Sequence, residues 1–181
     1  MPIPKFVALC GSPTSGKTEI AEILRDKYGG VIVDDGYCLR QAVMALYGLS
    51  WSDVNTQQGK AGLVTVCGKE YTVRQLLGDL GKRQELEHGA QFMPERAIAS
   101  IAHASDSFYI FPSCRMNQGL TYLNAGGIVV EVTRPGAVPY YEFDKYDSSL
   151  VTFTIANDDT SDEWRKVLES RVAAQFNQYI S

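Results

Sequence analysis

The chain has 181 residues, of which 45% are hydrophobic and 21% charged, and its formal net charge is −4. This length and composition are typical of one globular domain with a well-filled core. The negative balance excludes a broad basic surface that would bind DNA or RNA through many phosphates. It favours a small anionic substrate in a local basic pocket.

Residues that bind metals or form disulfides are scattered along the chain. The residues of these types are Cys10, Cys38, Cys67, Cys114, His88 and His103, and no two of the cysteines have CxxC spacing. The pattern predicts a reducing compartment and no structural zinc. The first ten residues lack a targeting leader, and no apolar run approaches ~18 residues, so we expect a soluble, cytoplasmic protein.

The first third of the sequence alternates strand and helix patterns. An apolar run predicts a strand over residues 5–10, and helical spacing predicts a helix over 18–28 that Gly29 and Gly30 close. A second strand is predicted over 31–33 and a second helix over 37–47, which Gly48 ends.

The middle of the chain has a weaker pattern. Residues 51–58 are compatible with a short helix, and residues 63–69 with a small hairpin or an extended loop. Capping-box spacing from Thr72 to Gln75 predicts the start of a helix, and Pro94 is expected near the start of another that runs to about residue 104.

Alternation returns in the second half of the chain. Strands are predicted over 107–111, 128–132 and 151–155, helices over 117–124 and 161–178, and a loop over 134–149. Strands separated by helical crossovers predict an α/β fold, with a parallel five-stranded sheet and helices on both of its faces.

A phosphate-binding motif lies between the first predicted strand and helix. Its eight residues match G-x-x-x-x-G-K-[ST] and are Gly11, Ser12, Pro13, Thr14, Ser15, Gly16, Lys17 and Thr18. In such a P-loop the backbone N–H groups and the helix N-terminus surround the β-phosphate. The lysine reaches the β- and γ-oxygens, and the Thr18 hydroxyl can bind Mg²⁺. The motif predicts ATP binding, against the alternative of a chance glycine-rich turn.

Four later segments also match a family pattern, in the correct order. Residues 72–77 with Leu80, Gly81 and Arg83 are similar to T-P-R-E-L-L-Q followed by L-G and an arginine. Residues 112–118 resemble S-D-V-R-F-x-N-E, residues 125–136 resemble G-G-x-v-i-x-v-x-R-P-G, and residues 155–158 resemble I-x-N-D/N. Together with the P-loop, these segments resemble phage-type deoxynucleoside monophosphate kinases and, more loosely, nucleoside monophosphate and dephospho-coenzyme A kinases.

The resemblance implies transfer of the γ-phosphoryl group of ATP to a deoxynucleoside monophosphate, with Mg²⁺, on a P-loop nucleoside monophosphate kinase-like fold. Such transfer depends on positioning and on neutralising charge. Arg115 follows a predicted strand and is the main candidate to clamp the acceptor phosphate. Arg134 opens the 134–149 loop and is a candidate to close on the transferring group. Arg40 and Arg83 are further acceptor-side candidates, each weighed against a surface or ion-pair role.

Acidic and amide residues are candidates for the remaining contacts. Asp34 and Asp35 follow a predicted strand, so Asp34 is a candidate to bind Mg²⁺ and Asp35 to bind the acceptor, although capping of the next helix explains them equally well. The resemblance alone implies that Asn157 contacts ATP on its adenine side. Ser113 and Gln118 replace an aspartate and a glutamate of the family. Either Asp34 or Asp35 therefore supplies the missing acid, or the acceptor differs.

We therefore expect one P-loop kinase domain over residues 1–181, with an acceptor-binding insertion at about 37–105 and a short lid-like loop at about 134–149. One alternative is a kinase that acts on a hydroxymethylated base in phage DNA, and another is a nucleotide-binding module without transferase activity. The expected partners are a small-molecule nucleotide acceptor, DNA under the first alternative, and a second copy of the chain in a homodimer, but no membrane. If the chain is phage-encoded, the cytoplasm is that of the host.

Overall fold

The computed structural model describes residues 4–101 and 108–180, and only the backbone of residue 180. The strands of the described residues are β1 (Phe6–Cys10), β2 (Val31–Ile32), β3 (Leu63–Val66), β4 (Lys69–Thr72), β5 (Tyr109–Phe111), β6 (Ile128–Thr133) and β7 (Phe153–Ala156). The α-helices are α1 (Lys17–Tyr28), α2 (Tyr37–Tyr47), α3 (Trp51–Asn55), α4 (Gln57–Ala61), α5 (Val73–His88), α6 (Phe92–Ala99), α7 (Gly119–Asn124) and α8 (Trp164–Ile180).

Five strands form one parallel sheet in the order β2-β5-β1-β6-β7. Together with the helices that cover it, this sheet confirms the predicted α/β fold. Because the strands are parallel, the loops that follow β1, β5 and β6 all leave the sheet at its carboxyl edge. That edge is where open α/β sheets bind their ligands.

Two apolar layers cover the faces of the sheet. Every residue of β1 is buried, and its side chains alternate between the two faces. On one face Leu9 packs with Ile20 of α1 and Phe176 of α8. On the other face Ala8 belongs to a cluster that includes Tyr122 of α7. Burial of each large apolar side chain contributes about 1.5–3 kcal/mol, so these layers fix the position of the carboxyl edge.

The chain divides into two compact units. The first comprises Met1–Asp35 and Pro94–Ser181 and contains the sheet, and the second comprises Gly36–Met93. The second unit consists of α2 to α5 and the antiparallel β3–β4 hairpin, around an apolar cluster that includes Val43, Val54 and Val73. The acceptor-binding role of the insertion and the lid role of the 134–149 loop stay predictions.

Several elements differ in extent from the sequence prediction, and for three of them the local geometry gives the reason. Residues 51–58 span parts of two helices, because Thr56 has an extended backbone and caps the second helix with its side chain. The helix expected from residue 117 begins at Gly119, after Met116, whose φ is 46°. The strand expected from residue 151 begins at Phe153, because Ser148–Leu150 forms a 3-10 turn.

The helix expected to run to about residue 104 ends at Ala99, and residues 100 and 101 are not helical. The strand start predicted at residue 107 lies outside the described residues. Within residues 4–101 and 108–180, no helix combines the length and apolarity needed to cross a bilayer.

Candidate active site

The loop between β1 and α1 has a backbone conformation suited to holding an anion. Gly11, Thr14 and Gly16 have positive φ angles of 139°, 65° and 103°, and the Ser15 N–H donates to the Ser12 carbonyl at 3.2 Å. Among the described residues, no side-chain cap hydrogen bond is present at Gly16, the N-cap residue of α1. A helix N-terminus without a side-chain cap, preceded by a tightly turned loop, is the arrangement that binds phosphate in P-loops.

Both P-loop glycines are required by close contacts as well as by their φ angles. A Cβ at Gly11 would lie 2.3 Å from the Val132 carbonyl oxygen, and a Cβ at Gly16 would lie 2.2 Å from Nδ2 of Asn157. No larger residue fits at either position without displacing β6 or the segment after β7. The loop conformation is therefore tied to the neighbouring strands.

Lys17 and Thr18 lie in the first turn of α1. The half-buried Lys17 ammonium donates to the carbonyl oxygens of Gly11 and Ser12, at 2.7 and 2.8 Å. Thr18 is exposed, and the buried Ser15 Oγ has no hydrogen-bond partner among the described residues. The loop therefore combines a cation, an exposed hydroxyl and an unsatisfied buried hydroxyl. These groups suit a triphosphate held at Lys17 and Mg²⁺ held at Thr18.

Asn157, predicted to contact adenine, is buried behind the P-loop. Its Nδ2 donates to the Ser15 carbonyl at 2.9 Å, and its backbone N–H donates to the Thr133 carbonyl at 2.8 Å. Asn157 thus bonds to the P-loop through its side chain and to the end of β6 through its backbone. This contact supports the loop from behind, and a contact with adenine stays a prediction.

Asp34 and Asp35 follow β2 as predicted, and their surroundings differ. Asp34 is exposed and Asp35 is half-buried. Burial, followed by the charge of Asp35, raises the pKa of the Tyr122 phenol. Burial also raises the pKa of the Cys114 thiol, with smaller contributions from Cys10 and Asp35. Asp35 therefore lies near the sheet face that Tyr122 covers. Mg²⁺ binding by Asp34 and acceptor binding by Asp35 stay predictions.

Arg115 lies in the turn that follows β5. Its guanidinium lies over the Phe143 ring, 5.7 Å from the centroid, and Nη1 is 3.9 Å from Oδ1 of Asp144. The Arg115 N–H donates to Oε1 of Gln118 at 3.1 Å. Gln118 is buried, and its side-chain amide oxygen fixes the backbone of this turn.

Arg134 follows β6 directly and is exposed. The Ala137 N–H donates to the Arg134 carbonyl at 3.1 Å, and Gly136 has a φ of 79°. These features form a tight turn at the carboxyl edge of the sheet. The role of Arg134 on the transferring group stays a prediction.

Arg40 and Arg83, the other predicted acceptor-side residues, belong to the second unit. The Arg40 guanidinium lies 5.6 Å from the Trp51 ring centroid, and Tyr37 contacts the same ring at a centroid distance of 5.8 Å. Arg83 is exposed on α5. Contact of either arginine with an acceptor stays a prediction.

Sequence reasoning missed a carboxylate beside the P-loop strand. Glu131 of β6 pairs in register with Cys10, and its carboxylate accepts from the Tyr146 hydroxyl at 2.5 Å and from Thr154 Oγ1 at 2.6 Å. Burial and then Glu131 raise the pKa of the Cys10 thiol to about 12, against a lowering effect of Lys17. The signal was a glutamate that interrupts the apolar run at the centre of the strand, because such a residue seldom leaves water without polar partners.

Comparison with known proteins finds no matching family model and no matching curated protein. Solved structures do match over nearly the whole chain. An unliganded sugar kinase from Janibacter sp. is 14% identical, covers 97% of this chain and 96% of its own, and superposes with a TM-score of 0.41. A shikimate kinase from Bacteroides thetaiotaomicron is 13% identical, with coverages of 96% and 97% and a TM-score of 0.42.

A third structure, a protein from Thermus thermophilus, is 13% identical, covers 95% of this chain and 98% of its own, and has a TM-score of 0.49. Similarity this distant identifies no function, which we therefore infer from the residues of the chain itself.

Proposed function

We propose that this chain is a P-loop kinase that transfers the γ-phosphoryl group of ATP to the phosphate of a deoxynucleoside monophosphate. One observation carries the proposal: the P-loop follows the central strand β1, and arginines follow the strands on either side of it. Arg115 comes after β5 and Arg134 comes after β6. A triphosphate-binding loop between two arginine-bearing loops suits a reaction that joins two polyanions.

In this reaction an oxygen of the acceptor phosphate forms a bond to the γ-phosphorus. The bond from the γ-phosphorus to the bridging oxygen breaks, and ADP leaves. Lys17 and the N-terminus of α1 hold the β- and γ-phosphates, Arg115 holds the acceptor phosphate, and Arg134 neutralises the group in transit. When bound, Mg²⁺ supplies further neutralisation, and Thr18 and Asp34 are the residues proposed to hold it.

The direct test is to incubate the purified protein with Mg-ATP and each of the four canonical deoxynucleoside monophosphates and to measure ADP formation. We expect turnover with at least one of them. Absence of turnover with all four contradicts the proposal. Phosphorylation of hydroxymethyluracil-containing DNA would instead indicate the DNA-directed kinase, and ATP binding without any transfer would indicate a nucleotide-binding module.

Lys17→Ala tests the P-loop itself. Loss of the ammonium removes charge stabilisation at the transferred group, so we expect kcat to fall by about 10²-fold or more while the fold is retained. Lys27→Ala is the matched control, because Lys27 is an exposed lysine in the last turn of the same helix. It should leave kcat unchanged. Equal activity of Lys17→Ala and wild type would contradict the P-loop assignment.

A further inference from the structure

Asp144 is a buried acidic residue. It ends the 3-10 turn Glu142–Asp144 within the 134–149 loop, and only 2% of its side chain is exposed. A carboxylate is costly to bury unless hydrogen bonds and an opposite charge compensate it. The groups around its two oxygens therefore indicate why an acid occupies this position.

The two carboxylate oxygens of Asp144 have different surroundings. Oδ2 accepts from the backbone N–H groups of Tyr140 and Tyr141, at 3.3 and 3.2 Å. Oδ1 lies 3.9 Å from Nη1 of Arg115. The backbone N–H groups need only an acceptor, which an asparagine would also provide. The guanidinium is a neighbour that favours an acid over an amide at this position.

The segment that contains Asp144 is fixed to the turn that contains Arg115. The Met116 N–H donates to the Lys145 carbonyl, and the Asp147 N–H donates to the Met116 carbonyl, both at 2.7 Å. Phe143 lies beneath the guanidinium. Backbone bonds, an aromatic ring and a buried acid therefore constrain the direction of one arginine side chain, of which 41% remains exposed.

We propose that Asp144 is a positioning residue that holds the Arg115 guanidinium in the orientation that binds the acceptor phosphate. This inference rests on the proposed function, in which Arg115 clamps the acceptor. A free arginine side chain loses rotamer entropy when a ligand immobilises it. A guanidinium that is already oriented loses less of that entropy on binding, and the acceptor binds more tightly.

Asp144→Asn tests the proposal, because it keeps an acceptor oxygen for Tyr140 and Tyr141 and removes the charge beside Arg115. We expect KM for the deoxynucleoside monophosphate to rise about tenfold, and KM for ATP to stay within about twofold. Glu142→Gln is the matched control. It makes the same change of charge in the same turn, at an exposed residue that pairs with exposed Lys145, so both KM values should be unchanged.

The Arg115→Ala variant, used as a second background, separates an effect on the orientation of Arg115 from a general effect on folding. In Arg115→Ala, Asp144→Asn should have no further effect on acceptor KM, because the group that it positions is absent. A tenfold rise in that background as well, or an unchanged KM in the single variant, would overturn the inference.

A readout without turnover keeps the inference separate from the proposed function. In wild type the Nε–Hε resonance of Arg115 should show the relaxation of an ordered side chain, and in Asp144→Asn that of a mobile one. Equal order in the two proteins would refute positioning by Asp144. If Arg115 loses order in Asp144→Asn as expected, but the wild-type protein phosphorylates no deoxynucleotide, the proposed function alone is refuted.

Discussion

The P-loop and the turn that carries Arg115 lie at the same edge of the central sheet, but different kinds of contact hold them. The P-loop is eight consecutive residues, and its conformation depends on two glycines packed against neighbouring backbone and side chains. The Arg115 turn depends on side chains from distant segments, including Asp144 and the Glu131–Tyr146 pair. The conformation of the P-loop is fixed mainly by the space available to it, and that of the Arg115 turn by polar contacts between segments.

This difference predicts how each region responds to substitution. Where space is decisive, adding one methyl group should cause a large loss of stability. Where polar contacts are decisive, removing one of them should cost roughly the free energy of a single hydrogen bond. Three substitutions with matched controls test this comparison, beginning with the largest expected effect.

Gly11→Ala should be the most destabilising. The added Cβ would meet the Val132 carbonyl oxygen at 2.3 Å, and the φ of 139° is unfavourable for alanine. We expect the free energy of unfolding to fall by about 3 kcal/mol or more, measured by denaturant titration. Gly126→Ala is the control, because Gly126 also has a positive φ but open space around it, so only about 1–2 kcal/mol should be lost. Equal losses would mean that space does not fix the P-loop.

The contrast between these regions also explains what the sequence could predict. The P-loop motif and the flanking apolar runs are local, so β1, α1 and the parallel sheet were predicted from consecutive residues. The capping box at Thr72 and Gln75 is equally local, and it is present at the start of α5.

Residues whose partners are distant in sequence were not predictable in the same way. Nothing adjacent to Asp144 or Tyr146 indicates that one meets Arg115 and the other Glu131, because those contacts arise only when the sheet has formed. Asn157 was selected by resemblance as an ATP contact, and nothing in the sequence indicated the bond that its side chain donates to the Ser15 carbonyl. Sequence patterns thus located the candidate site but not the contacts that orient its side chains.

Asn157→Ala should have an intermediate effect. It removes the donor to the Ser15 carbonyl and leaves a buried acceptor unpaired, which costs about 1–3 kcal/mol of stability. Because this contact supports the P-loop, KM for ATP should rise several-fold, while KM for the acceptor changes less. Asn177→Ala is the control, since Asn177 is exposed on α8 and its side chain accepts a bond from the Tyr28 hydroxyl, its one side-chain bond among the described residues. A KM for ATP equal to that of the control variant would exclude the supporting role.

Tyr146→Phe should have the smallest effect of the three. It removes the hydroxyl that donates to Glu131 at 2.5 Å but keeps the ring, which packs with the cluster on that face of the sheet. Burial and the bond to Glu131 raise the pKa of the Tyr146 phenol, so the phenol is the donor at neutral pH.

We expect the free energy of unfolding to fall by about 1 kcal/mol in Tyr146→Phe, because Thr154 still bonds to the Glu131 carboxylate. Tyr28→Phe removes a hydroxyl whose bond is exposed to solvent, so it should change the free energy of unfolding by less than about 0.5 kcal/mol. A loss in Tyr146→Phe as large as that in Gly11→Ala would show that polar contacts, and not space alone, dominate this edge of the sheet. If the free energy of unfolding is unchanged in Tyr146→Phe, the Glu131–Tyr146 bond is not among the contacts that hold the Arg115 region in place.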